Sequence, residues 1–166
     1  GARGLMQLLP TSAALATGDR NFVKRPRTLF DPALNLRAGQ DYLAYLMDRG
    51  VGPDLLKMVA AYNGGPGAVL STIQKVGDDD TLLLIECLPA LETRNYVEKV
   101  MAGYWTYKRM FGEETRTLDA LASGARRIDA RLDLTPLADP DGAQPQIAPQ
   151  PLQVGAAAML QTASFD

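Results

Sequence analysis

The side chains of this chain that could bind or turn over a ligand are few, and each stands in telling company. Gln7 lies inside the apolar run Leu5-Met6-Gln7-Leu8-Leu9. An amide withdrawn from water without a partner costs about 1–3 kcal/mol, so Gln7 is either tied to backbone or offered to a ligand. Tyr62 and Asn63 close the apolar segment from Leu55 to Ala61, just before Gly64-Gly65-Pro66-Gly67. They are either the polar tips of a helix end that opens on a cleft, or a core tyrosine and a C-cap asparagine. Glu92 stands in Leu91-Glu92-Thr93-Arg94-Asn95-Tyr96, as a helix-dipole partner, a mate for Arg94, or a cleft carboxylate. The chain has no histidine, which excludes Ser-His-Asp and Cys-His catalysis and any histidine metal site. The single Cys87 cannot form an internal disulfide. Acid–base chemistry therefore falls to carboxylates or tyrosines. Asp78-Asp79-Asp80 lacks the alternating ligands and distal bidentate carboxylate of a calcium loop. It reads as the negative start of a helix over Thr81 to Glu86, and no metal or cofactor is expected.

These groups need helices to hold them. Leu55, Leu56, Met58, Val59 and Ala60 read as a buried helical segment, which Gly64-Gly65 end by supplying positive φ. Pro66 then fits the first turn of the next helix, running through Ile73 to Val76. Upstream, Pro10 starts a short helix through Ala16. The stretch from Gly18 to Arg27, with Arg20, Lys24, Arg25 and Arg27, reads as solvated surface, although its charges could touch an anionic polymer. Leu36, Gly39, Leu43 and Leu46 fall on one helical stripe, flanked by Tyr42 and Tyr45, and Gly39 suggests close approach of a neighbour. Asn35 is either an N-cap or a loop tie. The last strong helix carries Val97, Val100, Met101, Tyr104 and Phe111 as its core face, with Trp105 near the edge.

A chain of 166 residues with 46% hydrophobic content supports one mostly α-helical domain with a real core. The net charge of −2 leaves no global basic field for nucleic acid. No apolar run approaches the roughly 20 residues that span a bilayer. Beyond Glu114 the helical signal decays, with Arg116 to Arg131 partly helical. Five of the eleven prolines lie between Pro136 and Pro151, which reads as a flexible tail. The expected organisation is a helical domain over 1–112 and a tail over 113–166.

Four of these stretches, in order over roughly two-thirds of the chain, resemble the soluble-type lytic transglycosylases of bacterial cell walls, whose catalytic domain is lysozyme-like. They are Gly1-Ala2-Arg3-Gly4-Leu5-Met6-Gln7-Leu8; Leu29 to Leu43, with Asp31-Pro32, Asn35 and Gly39; Ala61-Tyr62-Asn63-Gly64-Gly65-Pro66-Gly67; and Glu92-Thr93-Arg94-Asn95-Tyr96-Val97. The resemblance implies an all-α, lysozyme-like domain that binds peptidoglycan glycan strands. It implies cleavage of the β-1,4 bond between N-acetylmuramic acid and N-acetylglucosamine, leaving a 1,6-anhydro end. A single carboxyl group serves in turn as acid and base, unlike the usual carboxylate pair of sugar hydrolysis. Met6, Gln7, Tyr62, Asn63 and Glu92 are the substrate-binding residues it implies here. The family's acid is a glutamate in a Glu-Ser pair on a helix about a dozen residues ahead of the Gly-Ala at which this chain begins. The domain is therefore expected to be incomplete at its N-terminus, with a core face left open and the isolated chain inactive. The alternatives are a non-catalytic peptidoglycan-binding module and a truncated helical fragment. Such a substrate implies a periplasmic or envelope-associated parent, with the tail open to envelope protein partners.

Overall fold

The structure, a computed structural model, describes residues 1–134, and over these the protein is built from helices and the turns between them. The proline-rich stretch that the sequence marks as a flexible tail lies outside the described residues. The chain opens with a tight turn in which Arg3 and Leu8 exchange backbone hydrogen bonds of 3.0 Å in both directions. Helix α1 (Pro10–Thr17) follows with proline in its first turn. The basic stretch forms a single helical turn, α2 (Asn21–Lys24), and a 3-10 turn (Pro26–Phe30). Helix α3 (Pro32–Tyr45) is capped by the Asp31 carboxylate, which accepts from the Leu34 N–H at 2.8 Å. It ends in a π-helical turn, Leu46–Gly50.

Helix α4 (Leu55–Gly64) is the most buried element, with every residue from Leu55 to Ala61 enclosed. The expected corner is present: α4 ends at Gly64, Gly65 takes φ 82°, and α5 (Pro66–Val76) starts on Pro66. Asp80 caps α6 (Thr81–Glu86) by accepting from the Leu83 N–H at 3.1 Å, as its place in the triple aspartate predicts. Helix α7 (Leu91–Met110) packs along α4.

Of the expected stripe, Gly39 and Leu46 are buried and Leu43 packs against the core, but the buried face of α3 is turned away from Leu36. Asn35, Ala38, Gly39 and Tyr42 point inward, while Leu36 is exposed. The reason is Asn35, whose amide is fully enclosed because three backbone groups meet it. It accepts from the Met6 N–H at 2.7 Å and donates to the carbonyls of Arg3 and Leu29 at 2.9 and 3.0 Å. Asn35 is thus the loop tie, and Asp31 the cap. Phe111 also departs from expectation. It follows the end of α7 and stays three-quarters exposed, whereas Val97 and Met101 are core.

Residues 113–134, which composition places in the tail, carry α8 (Arg116–Ala122) and a 3-10 turn (Ala130–Asp133). Within the same body, Leu55 N–H donates to the Ile128 carbonyl at 2.7 Å, and Thr81 N–H to Arg126 at 2.8 Å. Beneath them, buried Asp54 caps α4 through the Lys57 N–H (3.1 Å). It also accepts from the Thr81 hydroxyl (2.7 Å) and the Ile128 N–H (3.0 Å). A second tie joins α7 to α8: the Trp105 indole donates to the Thr117 hydroxyl (2.9 Å), which donates to Asp133 (2.5 Å). Lys57, enclosed on α4, pairs its side chain with Asp78.

Candidate functional site

The opening turn, α3, α4 and α7 surround a cavity of about 520 Å³. Its walls are almost wholly apolar, with Met6, Met47, Met58, Val59, Val100 and Met101 among them. Among the described residues, those on its lining with polar side-chain groups are Gln40, Tyr62, Tyr96 and Tyr104. Among the described residues, no carboxylate lines it.

Tyr62 is placed by the last turn of α4. Its hydroxyl donates to the Met6 carbonyl at 2.8 Å, joining the α4–α5 corner to the opening turn across 56 residues of sequence. Its ring packs on Tyr42 with centroids 5.4 Å apart. Burial, with the neighbouring Tyr96 and Tyr42 hydroxyls, pushes its pKa up to about 12. The group is therefore a neutral hydrogen-bond donor at every physiological pH. Burial also raises Tyr96, and burial followed by the nearby Asp133 raises Tyr104.

Met6 is held from both sides, its N–H by Asn35 and its carbonyl by Tyr62. Behind it, α3 comes so close that a Cβ on Gly39 would lie 2.8 Å from the Met6 side chain, which explains the glycine in that helix. Gln7 stands beside it in an uncommon backbone state for a residue with a side chain, φ 46°. Its amide Nε2 donates to the Gly4 carbonyl at 2.8 Å, and the residue is exposed.

Asn63 turns the other way. Its Oδ1 accepts from the Thr93 hydroxyl at 2.8 Å, fixing the corner to the first turn of α7. Gly64 allows this approach, since a Cβ there would meet the Thr93 hydroxyl at 2.9 Å. Glu92 is exposed in the same turn of α7, where a negative charge suits the helix dipole. Arg94 does not serve as its mate. The Arg94 guanidinium instead donates to the carbonyls of Leu88 (2.8 Å) and Glu86 (3.2 Å), closing the end of α6.

The five sequence-derived residues thus fall into two groups: Met6, Gln7 and Tyr62 around the opening turn, and Asn63 with Glu92 at the α7 entrance. Sequence reasoning passed over Thr93 and Tyr96, whose signal was their place beside Glu92 and Asn95. Among the described residues no cluster of three or more carboxylate, thiol or imidazole groups could hold a metal. Nor is any helix long and apolar enough to cross a membrane.

Comparison with known proteins gives this arrangement a context. Residues 1–85 match the transglycosylase SLT domain. The soluble lytic murein transglycosylase of Escherichia coli (strain K12) is 35% identical over 130 residues, 76% of this chain and 20% of that protein. The protein of the same name from Salmonella typhimurium (strain LT2) is 32% identical over 117 residues, 69% of this chain and 18% of that one. The membrane-bound lytic murein transglycosylase C of Actinobacillus succinogenes is 30% identical over 131 residues, 66% and 36% of the two chains. The chain thus spans 18% to 36% of the length of these relatives. No solved structure gave a significant match. With the family matched across the opening turn, α3, the α4–α5 corner and α6, the chain belongs to the transglycosylase SLT domain family.

Proposed function

We propose that this chain is the glycan-holding part of a peptidoglycan lytic transglycosylase whose catalytic carboxyl group comes from a segment preceding Gly1. The observation that carries the reading is the apolar cavity beside the Tyr62–Met6 hydrogen bond, lined among the described residues without a carboxylate. It is the kind of space that the apolar face of a further helix fills. A carboxyl group delivered there would be desolvated, which raises its pKa and keeps it protonated near neutral pH.

In the proposed reaction that carboxyl group protonates the glycosidic oxygen between N-acetylmuramic acid and N-acetylglucosamine as the C1–O bond breaks. The resulting carboxylate takes the proton of the muramyl 6-hydroxyl while its oxygen bonds to C1. No water is consumed, and the muramyl residue leaves as its 1,6-anhydro form. Tyr62 assists as a neutral donor by swinging its single hydroxyl proton from the Met6 carbonyl to the substrate, orienting the sugar or meeting developing negative charge. Met6 and Gln7 form one wall for the sugar, and Asn63 and Glu92 the other. Glu92 is not the acid in this reading, because it sits on the exposed entrance of α7 away from the cavity lining. The parent protein would act in the periplasm or at the cell envelope, where peptidoglycan lies.

The test is to express the chain with and without its in-frame upstream coding segment and to digest purified peptidoglycan. The extended protein is expected to release products ending in 1,6-anhydromuramic acid by mass spectrometry, and its upstream Glu→Gln variant none. The 166-residue chain alone is expected to bind glycan without cutting it. Anhydro products from the 166 residues alone would overturn the assignment of the acid. An upstream segment without a glutamate would leave a binding module.

A further inference from the structure

The charge of this protein is segregated. Residues 1–37 carry Arg3, Arg20, Lys24, Arg25, Arg27 and Arg37 against Asp19 and Asp31, a net +4 in a chain whose total is −2. Among the described residues, neither carboxylate is in a salt bridge. Asp19 accepts from the Asn21 N–H at 2.8 Å and Asp31 from the Leu34 N–H at 2.8 Å, each consumed as a local cap. Among the described residues, every salt bridge lies outside this region, between Lys57 and Arg131.

The same region presents large apolar side chains to water, and the local geometry puts them beside the cations. In the single turn of α2, Phe22 packs against the core while Val23 is half exposed. Arg20, Val23 and Lys24 are three and four residues apart and share the outer side. In the following 3-10 turn, Leu29 is fully buried and Phe30 is 59% exposed. Arg27 and Phe30 are three apart, and residues at that spacing eclipse in a 3-10 helix. The Arg3 guanidinium lies 5.5 Å from the Phe30 ring centroid. Leu34 and Arg37 repeat the pairing one turn into α3, with Leu34 46% exposed. Each of these turns thus buries part of its side chains and turns an apolar–cation pair outward.

From this pairing we infer that the layer formed by α2, the 3-10 turn and the start of α3 docks on a bilayer surface bearing anionic phospholipids. The cations meet the lipid phosphates, and Val23, Phe30 and Leu34 enter the boundary between headgroups and acyl chains. Charge alone would suit any anionic polymer. The exposed apolar partners decide for lipid, because a carboxylate-bearing polymer in water offers them no apolar phase. The inference does not rest on the proposed reaction.

The test is co-sedimentation of the 166-residue chain with vesicles of phosphatidylcholine alone and of phosphatidylcholine mixed with phosphatidylglycerol. Binding is expected only to the anionic vesicles, weakening as salt is raised. Each cation changed to glutamine among Arg20, Lys24, Arg25 and Arg27 is expected to lower affinity about fivefold. Val23→Ser with Phe30→Ser is expected to lower it further at a salt concentration where charge is screened, while circular dichroism confirms the helices. Equal affinity for both vesicle types would overturn the inference, as would no binding to either. Salt-dependent binding to soluble peptidoglycan fragments but not to vesicles would reassign the surface to the cell-wall polymer.

Discussion

Asp54→Asn probes the most connected polar group in the protein. The native carboxylate gives Oδ1 to the Lys57 N–H and Oδ2 to both the Thr81 hydroxyl and the Ile128 N–H, at 5% exposure. Asparagine replaces one of those oxygens with an NH2 group. If the NH2 faces Lys57, the α4 cap is lost; if it faces Ile128, two donors oppose each other. In either orientation a buried N–H is left unmet, at about 1–3 kcal/mol, and the remaining bonds lose their charge assistance. The expected loss is about 2–4 kcal/mol, a large share of the roughly 5–15 kcal/mol that holds a domain together. At about 4 °C per kcal/mol for a body of this size, the melting point should fall by about 8–16 °C. The assay is urea and thermal unfolding followed by far-ultraviolet circular dichroism on the 166-residue chain, wild type against variant. A shift below about 0.5 kcal/mol, the range of an ordinary surface change, would refute the reasoning that Asp54 joins three segments.

Asp78→Ala should cost about 3–5 kcal/mol in urea unfolding, because it strands the enclosed Lys57 ammonium. Lys57→Met combined with Asp78→Ala should recover most of that loss. Tyr62→Phe should cost about 1 kcal/mol at neutral pH through the lost bond to Met6. Because the Tyr62 pKa rises from 10.0 unfolded to about 12 folded, its contribution is present below pH 10 and lost as pH climbs towards 12. The urea midpoint of the variant should therefore fall less steeply than that of wild type across this window. Gly4→Ala should be severely destabilising in thermal melts, about 3 kcal/mol or more, since its Cβ would lie 2.3 Å from the Leu29 carbonyl at φ 70°. Gly65→Ala, with nothing within 4 Å of the new Cβ but at φ 82° and ψ 149°, a region essentially confined to glycine, should cost about 1–3 kcal/mol of backbone strain.

The parts of the fold legible in the sequence are those set by neighbours along the chain. Gly64-Gly65-Pro66 marked the α4–α5 corner and Asp80 the start of α6, because caps and positive φ act within a few residues. On α3 the predicted stripe held at Gly39, Leu43 and Leu46 but failed at Leu36, because leucine periodicity alone does not choose the buried side. Three backbone groups gather instead on the Asn35 amide, and two of them come from the opening turn, 29 and 32 residues away. Likewise the Asp54 cap was hidden by distance, its partners Thr81 and Ile128 lying 27 and 74 residues on. Phe111 continued the apolar period of α7, but the helix ends before it. Tyr62 and Gln7 could be listed as candidates from type and company alone, and Met6 only through the family resemblance. That Tyr62 bonds the Met6 backbone, while Gln7 folds back on Gly4, is a fact of tertiary packing that no local pattern carries.

Trp105 is the chain's only tryptophan, and its indole N–H is committed to Thr117 and through it to Asp133. Its emission is therefore a built-in optical gauge of one joint, the seam between α7 and the segment that follows it. A red shift that precedes the loss of helical ellipticity on titration with urea would time the opening of that seam separately from the melting of the body, without any added label.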